Sequence, residues 1–561
     1  MKIGQSDHEH CYLSGKSFPM KCIAIGRLLV ILLFSVVILS CGGCGMEQPQ
    51  HLPAAKPVDT SITKANAFTE IFLDSTAVYQ FITGTKLNKK DSTYVLSFYR
   101  QRNYQFAWFD SSGVAEQAFN FINLFKNYRE SVGDSSLWVP EFDAAIDKWI
   151  SDSVAYRGTS EETIAFELMM TYQFFRYAER AYKGTDAVDP ADLGWFIPRK
   201  KINPVAFLDT VIISGGRDIN QLVPVHPMFE RLRKQLETYT QLARKHPWSP
   251  ISFKQPKYTV GDSAAEIGLM KQRLVLLGDL TAEDKGDVFT DKTKAGVIAF
   301  QDRMGLAADG VAGKGFQTEL NVPVSQRIEQ ILVNMERARW VPKPTGEQFI
   351  FVNIPEFKLH AFDSGKQQFE MAVVVGKPAT NTVIFNGMMK YVVFAPYWNV
   401  PYSIVKNEMG RTAAYFNKRN MEIVGRYRDG LPMVRQKPGP GNSLGKVKFL
   451  FPNSYSIYLH DTPSKSLFGQ NTLAFSHGCI RVADPSRLAH WVLRFNQEWP
   501  YEKIEEAFDY KKETTVNIAK PVPVFIGYFT CWVDQNGKLN FRKDIYGRDK
   551  KLADHLFPAG K

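Results

Sequence analysis

The chain has 561 residues, of which 44% are hydrophobic and 22% are charged. This length predicts several domains, and this composition excludes an intrinsically disordered protein. The net charge of +12 is spread along the chain without a compact basic motif, so the sequence predicts no nucleic-acid partner and is compatible with an anionic envelope polymer or lipid surface.

The N-terminal segment is typical of protein export. Lys21 and Arg27 precede an apolar run at 28–39, which is too short for a membrane span of about 20 residues and fits a signal-peptide core. Residues 1–41 are therefore predicted to be an export signal, and the polar, proline-containing stretch 42–63 a linker. The segment around Cys41 resembles a lipoprotein processing site, which implies a lipid on Cys41; an uncleaved signal anchor is the alternative. Both predict a periplasmic body attached to a membrane.

Export makes the cysteines informative. Of the six in the chain, only Cys479 and Cys531 lie in the body that follows the linker. Two cysteines do not make a disulfide framework, so at least one is predicted to be kept for its reactivity. Cys531 lies in an apolar, strand-like run and is predicted to be buried and far from Cys479.

Residues 64–250 are predicted to form a helical scaffold domain. Thr159 and Glu162 are typical of a capping box at the start of one helix. Behind them, apolar residues recur at spacings of three and four, as on the buried face of a helix: Ile164, Leu168, Tyr172, Phe175, Ala178 and Tyr182. This stripe is predicted to be core, and nothing in the region is predicted to carry chemistry.

Residues 263–322 are predicted to form a second helical unit. One amphipathic helix ends at Gly278, and a second, at 293–303, turns Val297 and Phe300 inward. With the glycine-containing turn at 305–313, the stretch resembles the small three-helix peptidoglycan-binding module, which implies contact with glycan strands. A purely structural helical insert is the alternative.

A connecting helix is predicted at 325–339, and beyond Pro342 the hydrophobic period changes from that of helices to that of strands. Residues 345–535 are therefore predicted to form a mostly β domain, with strands at 357–362, 369–373, 391–395, 446–451 and 456–460. Charged, helix-favouring sequence interrupts it, and 403–445 is predicted to be an inserted helical lid. The predicted fold class is thus multi-domain α+β.

The candidate chemistry lies within 454–482. A strand is predicted to end at His460, and Cys479 is predicted to lie in a turn before a helix that Asp484 caps, with Leu488, Val492 and Phe495 inward. Such a turn leaves backbone N–H groups available to an oxyanion.

An ordinary thiol has a pKa of about 8.5, so activation requires a neighbouring imidazole or positive charge, for which His460, His477 and Arg481 are candidates. A zinc site lacks a nearby fourth ligand, and an inert buried cysteine does not suit so polar a turn. The sequence therefore predicts cysteine nucleophilic catalysis with no metal and no cofactor.

His460, followed at 476–481 by Ser-His-Gly-Cys-Ile-Arg, is similar to the signature of the L,D-transpeptidase (YkuD-type) catalytic domain. The segments 439–445 and 397–401 resemble two further elements of that family, "GP-x-N-x-LG" and "W-x-x-P". Arg481 stands where many members have asparagine. With the helical scaffold and the peptidoglycan-binding module, residues 64–540 resemble the large multi-domain members.

The resemblance implies a peptidoglycan L,D-transpeptidase. Cys479 would be the nucleophile and His460 the proton acceptor and donor, with His477 as the alternative base. The backbone N–H groups around Gly478 and Cys479, together with His477, would hold the oxyanion. Residues expected to contact substrate are Ser476, Arg481, Trp398 and Tyr458.

The implied product is a cross-link between the third residues of two stem peptides, made through a thioester. Water as acceptor would instead make the protein an L,D-carboxypeptidase, and a lysine of an envelope protein would make it an anchoring enzyme. A non-enzymatic peptidoglycan-binding structural lipoprotein is the remaining alternative. In each case the expected partners are stem peptides or glycan strands.

Overall fold

The computed structural model describes residues 69–132, 137–151, 158–185, 188–199, 203–216, 225–342, 348–410 and 412–557. The predicted export signal (1–41) and linker (42–63) lie outside these ranges. In the described ranges no helix has both the length and the apolar character needed to cross a membrane.

The scaffold is a helical unit with an aromatic core. Its helices are α1 Ser75–Gly84, α2 Lys89–Gln101, α3 Glu116–Val132, α4 Pro140–Ser151, α5 Glu161–Ala178, α6 Pro204–Ile213 and α7 Met228–Lys245. A short hairpin, β1 Phe109–Asp110 with β2 Gly113–Val114, lies between α2 and α3. Helix α5 contacts α1, α2, α3, α4 and α6, so it forms the centre of the unit.

The predicted stripe of α5 and its continuation is largely core. Leu168, Phe175 and Tyr182 are buried. The predicted cap was wrong by one residue, because Ser160 precedes the helix and its Oγ accepts a hydrogen bond from the Thr163 N–H at 3.2 Å. Both residues have a cap-forming hydroxyl, and only the backbone path decides which one is used.

The second unit contains the three predicted helices, α8 Ala265–Leu276, α9 Asp291–Arg303 and α10 Lys314–Leu320, with a small pair of strands, β3 Lys257–Tyr258 and β4 Ala312–Gly313. Val297 and Phe300 are buried, as predicted. Gly278 follows the first helix with φ +77°, a left-handed conformation that glycine adopts without steric cost.

The connecting helix, α11 Val324–Trp340, lies between the scaffold and the C-terminal domain and bonds to both. Glu336 Oε1 accepts from the Thr185 N–H of the scaffold at 2.7 Å. Asn334 Nδ2 donates to Thr530 Oγ1 of the C-terminal domain at 2.8 Å, and its Oδ1 accepts from the Thr530 N–H at 3.0 Å. Buried polar groups therefore join the units through α11.

The C-terminal domain is mostly β, as predicted. Its strands are β5 Gln348–Asn353, β6 Lys358–Asp363, β7 Lys366–Gly376, β8 Phe385–Phe394, β9 Trp398–Asn399, β10 Met421–Arg426, β11 Pro432–Gln436, β12 Val447–Leu450, β13 Leu459–His460, β14 Ala474–Ser476, β15 Ile480–Val482, β16 Thr514–Gly527, β17 Cys531–Val533 and β18 Leu539–Phe541. One sheet has the order β14-β7-β15-β13-β12-β8-β16-β5-β6 and closes into a barrel, because β6 also pairs with β7. Helices α14 Pro485–Leu493, α15 Tyr501–Ala507 and α16 Arg548–Leu556 accompany it.

The predicted lid contains strands as well as helices. Helices α12 Tyr402–Glu408 and α13 Ala413–Lys418 are followed by β10 and β11, which form a three-stranded sheet with β9. Val405, Phe416 and Val434 belong to a small apolar cluster of the lid, which is separate from the main core. The expectation of an entirely helical lid was therefore incomplete, because antiparallel pairing with β11 holds 421–426 extended.

Two further boundaries differ from the predictions. The strand predicted at 456–460 is formed only by Leu459–His460, because Ser456 adopts φ +55° and turns the chain. Helix α14 is capped by Asp484 and buries Leu488 and Val492 as predicted. Phe495 lies beyond its end and is 47% exposed, so its predicted inward position was wrong.

Candidate active site

Two short parallel strands bring the separated parts of the motif together. Strands β13 and β15 are neighbours, with His460 opposite Arg481. The Ile480 N–H donates to the Tyr458 carbonyl at 3.1 Å. Because neighbouring strands lie about 4.8 Å apart, His460 and Cys479 lie in one small region although 18 residues separate them.

The turn before Cys479 is held by hydroxyl groups. Ser476 Oγ donates to the Cys479 carbonyl at 2.5 Å and accepts from the Gly478 N–H at 3.1 Å. Thr382 Oγ1 donates to the Gly478 carbonyl at 2.9 Å, and Gly478 has φ +115°, which favours glycine. Ser476 is buried, so these contacts support a positioning role for it in place of the expected contact with substrate.

The thiol of Cys479 is half-buried and protonated at rest. Sγ donates to the Ser456 carbonyl, 3.5 Å away. Burial raises the pKa of Cys479, whereas hydrogen bonds from the backbone and side chain of Tyr458 and the charge of Arg481 act in the opposite direction. Tyr458 is half-buried, and its hydroxyl lies at the sulfur. Burial therefore favours the neutral thiol of Cys479, whereas Tyr458 and Arg481 would stabilise the thiolate once it forms.

His460 is buried and neutral. Its Nδ1 lies 2.5 Å from the Asp461 carbonyl. A carbonyl only accepts, so Nδ1 carries the hydrogen and the lone pair is on Nε2. Burial, helped by the nearby charge of Arg481, lowers the pKa of His460 to about 4 against the opposing effect of Asp461. The imidazole can thus accept a proton at neutral pH.

No hydrogen bond joins His460 to Cys479 in the described part of the chain. The ring of Tyr458 lies beside the imidazole, with 5.7 Å between ring centroids, and the same residue contacts the sulfur. Catalytic hydrogen bonds often form only when substrate arrives. In this structure His460 and Cys479 therefore lie on neighbouring segments without a hydrogen bond between them.

Of the two backbone donors expected at an oxyanion, the Cys479 N–H is available and the Gly478 N–H is not. The Gly478 N–H is already bonded to Ser476 Oγ, so the role of Gly478 is conformational. The Cys479 N–H makes no hydrogen bond with any described residue and is available beside the Tyr458 hydroxyl. Arg481 adds positive charge, and its Nε is buried without a hydrogen-bond partner among the described residues.

Two predicted site residues contact the lid. His477 is exposed, and its Nε2 lies 2.7 Å from Glu408 Oε1 at the end of α12. Trp398 is half-buried in β9, where it pairs with Gln436 and packs against the apolar cluster of the lid. His477 is therefore placed to connect the catalytic turn to the lid.

Sequence reasoning missed Ser456, Asp461 and Glu408. Asp461 follows His460 directly, and its carboxylate Oδ2 accepts from the Lys446 N–H at 2.8 Å, which fixes the backbone that orients the imidazole. Its position beside His460 was a usable signal. Ser456 and Glu408 gave none, because their contacts depend on a φ angle and on lid packing. Within the described ranges, no three His, Cys, Asp or Glu side chains are placed to share a metal ion.

Residues 347–524 match the family model described as "L,D-transpeptidase catalytic domain" (YkuD). The chain also matches a scaffold domain at 93–236 and a "Putative peptidoglycan binding domain" at 263–320. These matches confirm the resemblance on which the fold and the candidate residues were predicted.

A relative described as "Putative L,D-transpeptidase", from Haemophilus influenzae, is 31% identical over 243 residues, which cover 40% of this chain and 49% of that protein. The alignment thus spans about half of the relative. Among solved structures, an L,D-transpeptidase from Xylanimonas cellulosilytica is 14% identical, with 49% of this chain and 100% of that chain covered at a TM-score of 0.17. The catalytic domain of the E. faecium L,D-transpeptidase acylated by ertapenem is 16% identical, with 33% and 99% covered at a TM-score of 0.16.

Proposed function

We propose that the protein is a peptidoglycan L,D-transpeptidase that forms cross-links through a thioester on Cys479. The observation that supports the proposal is the half-buried Cys479 thiol, bounded by Tyr458 and Arg481, with the neutral His460 on the neighbouring strand. A thiol and a neutral imidazole on adjacent strands are the groups that cysteine acyl transfer requires.

In the first step, Cys479 attacks the carbonyl carbon between the third stem residue and the terminal D-alanine. His460 Nε2 accepts the thiol proton and passes it to the nitrogen of the leaving D-alanine as the C–N bond breaks and the S–C bond remains. The Cys479 N–H and the Tyr458 hydroxyl would donate to the tetrahedral oxyanion. A thioester and free D-alanine result.

In the second step, an amine of the third residue of another stem attacks the thioester. His460 accepts the proton of the amine and returns it to sulfur, so the thiol is restored and an amide cross-link is formed. Which acceptor enters depends on access past the lid, whose Glu408 contacts His477 beside the thiol.

The remaining domains suit a polymeric substrate at the cell envelope. We propose that the module at 263–320 contacts glycan strands and that residues 1–41 direct export to the periplasm. Attachment to a membrane would follow through lipid on Cys41 or through an uncleaved signal anchor.

The test is incubation of the purified protein with tetrapeptide muropeptides and identification of the products by mass spectrometry. Cross-linked dimers that are absent with Cys479→Ala are the expected result. Tripeptides without dimers would identify a carboxypeptidase, and dimers formed only as protein adducts an anchoring enzyme. No change with a folded protein would leave only the structural alternative and overturn the proposal.

A further inference from the structure

A segment of the scaffold is bonded to the catalytic domain beside its active-site loop. The Ile384 N–H, just before β8, donates to the Gly194 carbonyl at 2.8 Å, and the Phe196 N–H donates to the Ile384 carbonyl at 2.7 Å. Trp195 and Ile384 thereby form a parallel β-bridge. The scaffold is thus joined by one β-bridge to the residue that precedes β8 of the catalytic domain.

This segment is fixed from behind. Trp195 is buried and packs edge-on against Trp340 of α11 at 5.3 Å between ring centroids, and against Phe529 at 6.3 Å. Gly194 lies so close to Arg548 that a Cβ at this position would come within 2.7 Å of Nη2. The position of Phe196 is therefore set by buried contacts and not by its own ring.

The ring of Phe196 stacks on Tyr455 of the catalytic domain. Their centroids are 4.9 Å apart with 30° between the planes, and Tyr455 packs on its other side against Phe385 at 5.0 Å. Asn453 organises the same loop, since its Oδ1 accepts from the N–H groups of Tyr455 and Ile457 at 3.0 and 3.2 Å. The loop 453–458 is thus held by an asparagine from within and by Phe196 from the scaffold.

The same loop carries the groups that contact the nucleophile. Ser456, next to Tyr455, has φ +55°, a conformation that a residue with a side chain adopts only when its surroundings hold it there. This turn directs the Ser456 carbonyl to the Cys479 Sγ at 3.5 Å and places the Tyr458 N–H and hydroxyl at the sulfur. The residue that makes the ring stack, Tyr455, is therefore the direct neighbour of a residue that contacts the thiol.

We propose that Phe196 is a positioning residue for Cys479, which acts by stacking on Tyr455 and holding the loop 453–458 against the sulfur. The proposal rests on the proposed function, in which Cys479 is the nucleophile. Phe196 and Tyr455 are 38% and 37% exposed, so their stacking contributes little to the core and its loss should act locally. The scaffold would then be a working part of the catalytic site.

The test compares Phe196→Ala, Phe196→Leu and Phe196→Tyr in the full chain. Phe119→Ala is the matched control, since Phe119 is another exposed scaffold phenylalanine, 47% exposed, and packs edge-on against Trp149 at 4.6 Å between ring centroids. Alkylation by iodoacetamide is followed as a function of pH by quantifying the peptide that contains Cys479, and the melting temperature is measured in parallel. The titratable groups that face the sulfur, Tyr458 and Arg481, are unchanged in every variant.

Phe196→Ala and Phe196→Leu should move the pH midpoint of alkylation upward and slow the reaction at neutral pH by about tenfold, the effect of one weakened hydrogen bond to a charged group. Phe196→Tyr should restore the wild-type profile because it retains the ring, and Phe119→Ala should not change it. If Phe196→Ala lowers the melting temperature, the pH midpoint of alkylation in Phe196→Leu is used to test the inference. An unchanged midpoint in a folded variant overturns the inference, whereas a wild-type protein that is alkylated but forms no cross-links contradicts only the proposed function.

Discussion

At Cys479 and His460 the resting site holds two uncharged groups. Burial raises the pKa of the thiol and lowers that of the imidazole, so neither carries charge at neutral pH. A protonated thiol is a poor nucleophile and is also less readily oxidised than a thiolate. We therefore infer that substrate binding triggers the proton transfer from Cys479 to His460.

Cys479→Ala should abolish both acylation and cross-linking while leaving the free energy of unfolding almost unchanged, because the side chain is half-buried in a turn. Intact-mass spectra after incubation with ertapenem measure the acylation. The matched control is Cys531→Ala, which removes the buried free thiol of β17 and should retain acylation while lowering the free energy of unfolding by about 1 kcal/mol. An ertapenem adduct on the folded Cys479→Ala protein would exclude Cys479 as the acylated residue.

His460→Gln should slow acylation by about 10²–10⁴-fold, the usual contribution of a positioned acid–base group. His477→Ala should cost less, because the imidazole of His477 is bonded to Glu408 of the lid and not to the thiol. Stopped-flow measurement of acylation rates gives the ranking. The reverse order would assign the base to His477.

The pH dependence of acylation should follow the neutral form of His460. Because burial lowers the pKa of His460 to about 4, the imidazole remains able to accept a proton as the pH falls from 7 to 5. The acid limb of the acylation rate should therefore lie near this value and not near about 6.5, where an unperturbed histidine titrates. A pH–rate profile of the wild-type protein provides the measurement.

Stability should depend on pH through the same group. The unfolded chain binds a proton near pH 6.5 and the folded chain near pH 4, so between these values the unfolded state binds more protons and the free energy of unfolding falls as the pH falls. This contribution is about 3 kcal/mol in total. Urea unfolding of the wild-type protein at several pH values should show this loss of stability between pH 6.5 and pH 4. A His460→Gln protein with the same pH dependence would show that the loss does not come from His460.

At the scale of elements, a hydrogen bond between Glu408 and His477 connects the lid to the catalytic turn. Glu408 ends α12, and its carboxylate lies 2.7 Å from His477 Nε2, two residues before Cys479. Both side chains are partly exposed, so the pair contributes at most about 1 kcal/mol. A contact of this strength can hold the lid in place at rest, and it can still break to let the lid open for a polymeric substrate.

Glu408→Ala should increase backbone hydrogen exchange in α12 and change the acylation rate by less than about tenfold. Glu422→Ala is the matched control, because Glu422 pairs with Arg435 and Lys437 inside the lid sheet and does not contact the catalytic turn. Hydrogen exchange followed by mass spectrometry resolves the two regions. Unchanged protection of 402–408 in Glu408→Ala would show that the pair does not hold the lid.

At the scale of the whole molecule, α11 joins the units through buried polar contacts. Asn334 is fully buried and satisfies both the N–H and the hydroxyl of Thr530. Asn334→Leu would leave the buried Thr530 N–H without a partner, which costs about 1–3 kcal/mol. A substitution here should therefore weaken the attachment of the catalytic domain.

We expect Asn334→Leu to lower the free energy of unfolding by that amount, about 2 kcal/mol. Glu329→Ala, at an exposed position of the same helix, should change it by less than about 0.5 kcal/mol. Urea unfolding followed by circular dichroism measures both. Equal stability of the two variants would show that the Asn334 contacts add nothing to the junction.

The sequence by itself was sufficient for the order of units and for the candidate catalytic pair. Helical and strand periods, the glycine that ends α8 and the cap at Asp484 are local signals, because a few neighbouring residues determine them. Residue type and spacing indicated Cys479 with His460 or His477 as candidates, since cysteine acyl transfer requires a thiol and a base. The choice of His460 came from the resemblance to the L,D-transpeptidase signature, and its role stays a prediction.

Only the tertiary structure decided how these groups are held. The φ of Ser456, the engagement of the Gly478 N–H by Ser476 and the contact of His477 with Glu408 each depend on where a distant segment packs. Phe196 shows the reason most clearly, because more than 250 residues separate it from the loop that it stacks on. Local patterns specify elements and reactive groups, whereas contacts between remote segments form only when the whole chain folds, so no local pattern encodes them.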